Sequence, residues 1–269
     1  MLELIQKQQG AYILSHNGLG DNITMIGAVR FLSNYYETIY FLCKDKYESN
    51  VKLFFVDLKV ITVPFDSRDE RNSCANIINN AKQQHKEFDI FICGGCNTSY
   101  LTSIVTHPLL LSYKKDDKGY TVRFDHIEQF YSDAGLDLSI YFEFFDISSS
   151  SKSKALYKNL ESYKVAFFHT QASNQEMDLR KIYNHYKNEK DCIVICANKN
   201  VYDVSNPEQK EKHAISEKYI NIPIAHYIDI IKNAVCIHVV DSCFCCIVYP
   251  LVVTNKLKTR EVVIHERKV

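Results

Sequence analysis

The sequence predicts an α/β protein of two Rossmann-like domains with parallel sheets. Three observations carry this: short apolar runs of strand length, helical patterns between them, and a restart of that alternation halfway along the chain. The first strands fall at residues 11–14, 38–43, 58–63 and 88–93, each nearly continuous in hydrophobicity, as strands covered on both faces are. Between them, Met25, Ile26, Val29 and Leu32 recur at helical spacing, and the polar stretch 73–86 carries Ile77 and Ile78. The second series places strands at residues 164–168, 191–196, 235–240 and 261–264, with helices at 177–188 and 225–233. The polar run Ser148, Ser149, Ser150, Ser151, Lys152, Ser153 reads as a flexible linker and sets domains at residues 1–147 and 154–269. One domain with a long surface loop is the alternative.

Composition narrows the function classes. A chain of 269 residues, 46% hydrophobic and 24% charged, suits two globular domains and excludes a disordered tail. Formal charge sums to zero with no block of Lys and Arg, so the footprint of a nucleic-acid binder is missing and phosphate recognition would be local, on small anionic ligands. The N-terminus is polar, unlike a secretory leader, and the apolar runs 236–240 and 245–253 fall short of the ~20 residues of a membrane helix. No transmembrane segment is expected, and peripheral membrane contact stays open. Of ten cysteines, Cys43, Cys93, Cys192, Cys196 and Cys236 sit in apolar, strand-like settings where free thiols act as small hydrophobes, which points to a cytoplasmic location. The Cys93-Gly94-Gly95-Cys96 pair and the Cys243, Cys245, Cys246 cluster lack the second spaced pair of a structural zinc site, so no metal is expected.

In doubly wound units, ligands bind beyond the carboxyl ends of the strands, which directs attention to the loops there. The first is Ser15-His16-Asn17-Gly18-Leu19-Gly20-Asp21-Asn22. Gly18 and Gly20 are expected to permit backbone angles closed to other residues, and Asp21 or Asn22 to cap the next helix. A dinucleotide fingerprint would need glycine where Ile23 stands, so an NAD(P)-binding oxidoreductase, with Asp45 on the ribose, is a secondary reading.

The segment Gly18-Leu19-Gly20-Asp21-Asn22-Ile23-Thr24-Met25-Ile26-Gly27-Ala28-Val29-Arg30-Phe31-Leu32 resembles the opening of the bacterial lipopolysaccharide heptosyltransferases. That resemblance implies a GT-B-like fold, here with a trimmed C-terminus, and assigns Asp21 as the base that deprotonates the acceptor hydroxyl. Residues 222–246 are similar to the same family's donor segment: Asp241 and Ser242 keep its chemistry, while Cys243 stands in place of glycine and Cys246 in place of histidine. By position, His169, Thr170 and Ser173 match the donor loop, with His169 as a possible cation and Lys199 as a second one. Asn17, Gly18, Leu19, Gly20 and Asn22, with Gly94, Gly95 and Asn97 after the fourth strand, form the acceptor or phosphate loops. The implied activity is inverting, metal-independent transfer from a nucleotide-sugar donor to a hydroxyl of a glycan or lipid-linked glycan, with the nucleotide sugar as substrate and no cofactor. A catalytically inactive nucleotide-sugar-binding protein is the further alternative.

Overall fold

Runs such as Ala11, Tyr12, Ile13 and Leu14, all buried, cannot hide both faces in a two-layer structure, and they fold as central strands between helices. The computed structural model describes residues 7–15, 18–84, 88–94, 101, 103–107, 125–172, 175–259 and 261–266. The chain forms two units, Met1–Ser148 and Ser149–Val269.

In the first unit the described elements run β1 (Gln8–Ser15), α1 (Leu19–Thr24), α2 (Ile26–Leu32), β2 (Tyr36–Lys44), α3 (Glu48–Phe54), β3 (Val60–Phe65), α4 (Glu70–Gln84), β4 (Asp89–Cys93), α5 (Asp125–Asp133) and α6 (Ser139–Glu143). The sheet order is β3-β2-β1-β4, every pairing parallel. Alternation sends Tyr12, Leu14, Leu42, Ile90 and Ile92 to one face, where they pack with Cys74, Ile78 and Ala81 of α4.

The helical pattern after β1 is one run in the sequence and two helices in space, broken at Met25. Tyr131 of α5 stands at the break: its hydroxyl donates to the Thr24 carbonyl at 3.0 Å and accepts from the Ala28 amide at 3.1 Å. Helix α6 crosses α2 so closely that a Cβ on Gly27 would lie 2.7 Å from the Ile140 carbonyl oxygen and 3.0 Å from that of Tyr141. Backbone oxygens cannot swing aside as side chains can, so Gly27→Ala is expected to destabilise the unit by about 1–3 kcal/mol. A lower urea midpoint with unchanged slope would show it.

The second unit runs α7 (Ser151–Lys158), β5 (Lys164–His169), α8 (Arg180–Lys187), β6 (Cys192–Cys196), α9 (Lys210–Ser216), α10 (Ile228–Asn233), β7 (Cys236–Val240), α11 (Cys243–Val253) and β8 (Glu261–His265). Its sheet order is β6-β5-β7-β8, again parallel throughout.

The serine run is not a free linker. Ser148 donates to Asp57 of the first unit at 2.6 Å, alongside the Arg30–Asp57 ion pair. Ser149 and Ser153 donate to the two oxygens of Asp229 in the second unit, at 2.6 and 2.5 Å. Ser150 caps α7 by accepting the Ser153 amide at 3.0 Å. Serine at a helix N-terminus satisfies amides that have no partner within the helix, which is why a run resembling a linker starts a helix instead.

Candidate functional site

Each sheet has one place where the winding reverses. In the first, β1 to β2 to β3 proceeds one way and β4 is added on the other side of β1; in the second, β6 and β7 flank β5 in the same manner. Adjacent loops leave in opposite directions at such a point and open a crevice beyond the strand ends. The segments after β1 and β4, and those after β5 and β7, are the ones that hold the candidate residues.

At the first reversal, Gly18 precedes α1 in an extended conformation (φ −81°, ψ 179°), and Leu19 and Gly20 begin the helix. Neither Gly18 nor Gly20 uses the left-handed region, contrary to the expectation from sequence; among the described glycines only Gly94, at φ 78°, and Gly135, at φ 68°, do so. What Gly18 provides is closeness. Its amide donates to Asp21 Oδ2 at 2.5 Å, and a Cβ there would come within 3.3 Å of that oxygen. Asn22 Nδ2 donates back to the Gly18 carbonyl at 2.9 Å, so the turn is fixed reciprocally by its own side chains. Among the described residues, Ser15 Oγ and Asn22 Oδ1 have no hydrogen-bond partner, although both are buried. Gly94 follows β4, the strand added beside β1. Asn17, Gly95 and Asn97 lie outside the described residues.

At the second reversal, β5 ends in His169 and β7 leads through Asp241 to Ser242, the residue before α11. Ser242 Oγ and His169 Nδ1 are 3.1 Å apart, and the Phe244 ring lies 4.6 Å from the imidazole. The Ser242 hydroxyl does not cap α11, and the helix's first amides, on Cys243 and Phe244, have no carbonyl partner within the helix. Asp241 is held by its own amide, which donates to the His265 carbonyl of β8 at 2.9 Å. Cys246 turns back, its thiol 3.7 Å from the Ser242 carbonyl.

Three residues expected to meet phosphate have surroundings that the sequence does not show. Burial drives His169 down to about 4, so it is neutral at physiological pH and supplies a hydrogen bond in place of the expected cation. Thr170 is fully buried, its amide and hydroxyl engaged by Asn198 at 3.0 Å each, so it shapes the loop. Lys199 forms an ion pair with Glu176 at 2.6 Å; burial alone would lower its pKa, and that partner raises it. Cys243 is raised to about 11 by burial and stays a thiol. Ser173 lies outside the described residues. Sequence reasoning missed Asn198 and Glu176, whose role appears only once β5 and β6 are paired and their loops meet.

No protein-family model matches the chain, and no curated protein resembles it in sequence. Solved structures do. A glycosyl transferase family 9 protein from Veillonella parvula superposes with a TM-score of 0.57 at 8% identity, covering 98% of this chain and 87% of the other. The chain has the fold of that transferase. The E. coli heptosyltransferase WaaC with ADP gives 0.51 at 9% identity over 97% and 91% of the two chains, and WaaC with ADP-2-deoxy-2-fluoro heptose gives 0.50 at 8% over 97% and 93%.

Within this fold the buried histidine has a measurable consequence. The unfolded chain, with an ordinary histidine near 6.5, takes up the proton before the folded protein does. The contribution of His169 is thus complete above about pH 6.5 and lost as pH falls toward 4, to a limit on the order of 3 kcal/mol. His169→Gln, which keeps a hydrogen-bonding group for Ser242, is expected to flatten the fall in urea midpoint across that window; an unchanged profile would contradict a buried neutral ring.

Proposed function

We propose that the chain is an inverting, metal-independent glycosyltransferase that moves a sugar from a nucleotide-sugar donor to a hydroxyl acceptor, a glycan or lipid-linked glycan. The second unit would hold the donor and the first the acceptor. The observation that carries this reading is the start of α11: helix amides left uncapped by Ser242, beside the Ser242–His169 pair, at the strand-order reversal of a fold shared with glycosyltransferases over 98% of the chain.

A helix N-terminus offers aligned amides and a partial positive charge, which suit a diphosphate that gains charge as it leaves. With Ser242 donating to Nδ1, the His169 ring proton sits on Nε2 and is a further donor. In the reaction, the acceptor oxygen forms a bond to the anomeric carbon while its proton passes to the Asp21 carboxylate. The bond from that carbon to the diphosphate oxygen breaks, and the nucleoside diphosphate departs with the electron pair. Attack opposite to the leaving group inverts the configuration. Asp21 is suited to this by its place in the first turn of the helix that follows β1, at the strand-order reversal.

A second reading, donor binding without transfer, is favoured by a specific observation. Among the described residues expected to neutralise phosphate, His169 is neutral, Lys199 is paired and Cys246 replaces the family's histidine. A thermal-shift series with nucleoside diphosphates, nucleotide sugars and dinucleotides tests both against the oxidoreductase alternative. Nucleotide sugars and nucleoside diphosphates are expected to raise Tm; stabilisation by NAD alone would refute the proposal. Binding with no product across a broad acceptor panel would favour the second reading.

A further inference from the structure

One face of the second sheet carries polar groups unusual for the flank of a Rossmann-like core. Cys236 and His238 stand two residues apart on β7 and so share a face, and Glu261 is the β8 partner of Cys236 in register. Cys236 Sγ, a ring nitrogen of His238 and a carboxylate oxygen of Glu261 all lie within 4.8 Å of one another. His238 is 3% exposed, and its Nε2 is buried without a hydrogen-bond partner; Glu261 Oε1, at 3.4 Å, is near but not aligned for one. The other ring nitrogen, Nδ1, is 3.1 Å from His265 Nε2. Tyr186 of α8 donates to the second carboxylate oxygen of Glu261 at 2.7 Å.

We propose that Cys236, His238 and Glu261 form a binding site for a zinc-class divalent cation. The ligand atoms are supported from behind as those of metal sites are. With Nδ1–H donated to His265, the imidazole presents the lone pair of Nε2, and with Oε2 held by Tyr186, the carboxylate presents Oε1. Stacking of Phe168 on the His238 ring at 5.0 Å fixes the plane. In a tetrahedral zinc site the nitrogen–oxygen edge is about 3.4 Å, as found here, and the longest separation in the cluster needs to close by about 1 Å.

Ligand chemistry selects the ion. A thiolate and an imidazole reject calcium and magnesium, which require oxygen ligands, and suit zinc or cobalt(II). Binding replaces the Cys236 S–H bond by a sulfur–metal bond and releases the proton to solvent. Glu261 is half exposed, which leaves a solvent side for water as fourth ligand. Cys236 begins β7 and Asp241 follows its end, roughly 16 Å away along the strand, so the ion would not touch a donor at α11. Its effect would be to fasten the edge strand β8 to β7.

Cobalt(II) is the probe, because thiolate coordination gives a near-ultraviolet charge-transfer band and tetrahedral geometry gives intense visible bands. The chelator-treated full chain is expected to develop both, saturating with one cobalt per chain attributable to this site and bleaching on addition of zinc. Cys236→Ser should lose the charge-transfer band. Glu261→Gln, a change at a half-exposed position that preserves the fold, should weaken affinity by at least tenfold, and Tyr186→Phe by about tenfold. No charge-transfer band at saturating cobalt, a band of equal strength in Cys236→Ser, or unaltered affinity in Glu261→Gln would each overturn the proposal.

Discussion

Asp21→Asn is expected to lower turnover by roughly a hundredfold to ten-thousandfold, the range over which a positioned general base contributes. The asparagine keeps an oxygen that can accept the Gly18 amide, so the turn into α1 survives and Tm should move little. Donor affinity should also stand, because the groups proposed to hold the donor belong to the second unit. Steady-state kinetics with a nucleotide sugar, paired with calorimetric binding, separates these effects: turnover falls and Kd holds. Unchanged turnover would remove Asp21 from the chemistry and leave it as a helix cap. A matched loss of Tm and turnover would mean that capping accounts for both.

The largest expected effect on stability comes from Asp89, the fully buried first residue of β4. Its carboxylate accepts from the Tyr36 hydroxyl, from the Thr106 amide and hydroxyl at 2.8 and 2.7 Å, and from the His107 amide at 3.1 Å. It thereby ties residues 106–107 to the buried ends of β2 and β4. Asp89→Ala would leave two donors of buried residues, the Tyr36 hydroxyl and the His107 amide, with no acceptor, each costing about 1–3 kcal/mol, and would lose the two bonds from the exposed Thr106. A total loss of about 3–5 kcal/mol is expected, read from urea unfolding. Asp89→Asn, which retains one acceptor oxygen, should cost less; equal cost in both variants would mean that the charge and not the hydrogen bonds is what matters.

Strands were the most legible part of the sequence. All eight apolar runs fold as strands in the anticipated order; burial on both faces forces the hydrophobic continuity of β1, β4, β5, β6 and β7, while the edge strands β3 and β8 are largely half-buried. Short helices were less visible. Helix α3 carries Glu48, Ser49, Asn50 and Lys52 and buries only Val51 and Phe54 well, and α7 hides in a serine run whose hydroxyls find their partner in Asp229, far along the chain.

The sequence directs attention to the segments beyond β1, β4, β5 and β7, and the structure sets those segments at the strand-order reversals. A histidine's charge depends on burial, which sequence does not show, and His169 becomes neutral only when Phe244 and the sheet enclose it. Lys199 carries no sign in its own neighbourhood that Glu176 will claim it. Cys236 reads as a small hydrophobe until the pairing of β7 with β8 brings Glu261 beside it.

The central claim is that the first amides of α11 receive a nucleotide diphosphate, and Cys243→Pro tests it directly. Cys243 is the first helical residue, where proline fits and the helix loses no internal hydrogen bond, and the extended backbone of Ser242 is compatible with a following proline. The substitution deletes one amide together with the Cys243 thiol, and Cys243→Ala, which keeps the amide, isolates the effect of the thiol. Calorimetric titration of a nucleoside diphosphate into both proteins should show affinity weakened by roughly tenfold to a hundredfold in the variant, as loss of a hydrogen bond to a charged group predicts. Equal affinity in the two proteins would contradict the account.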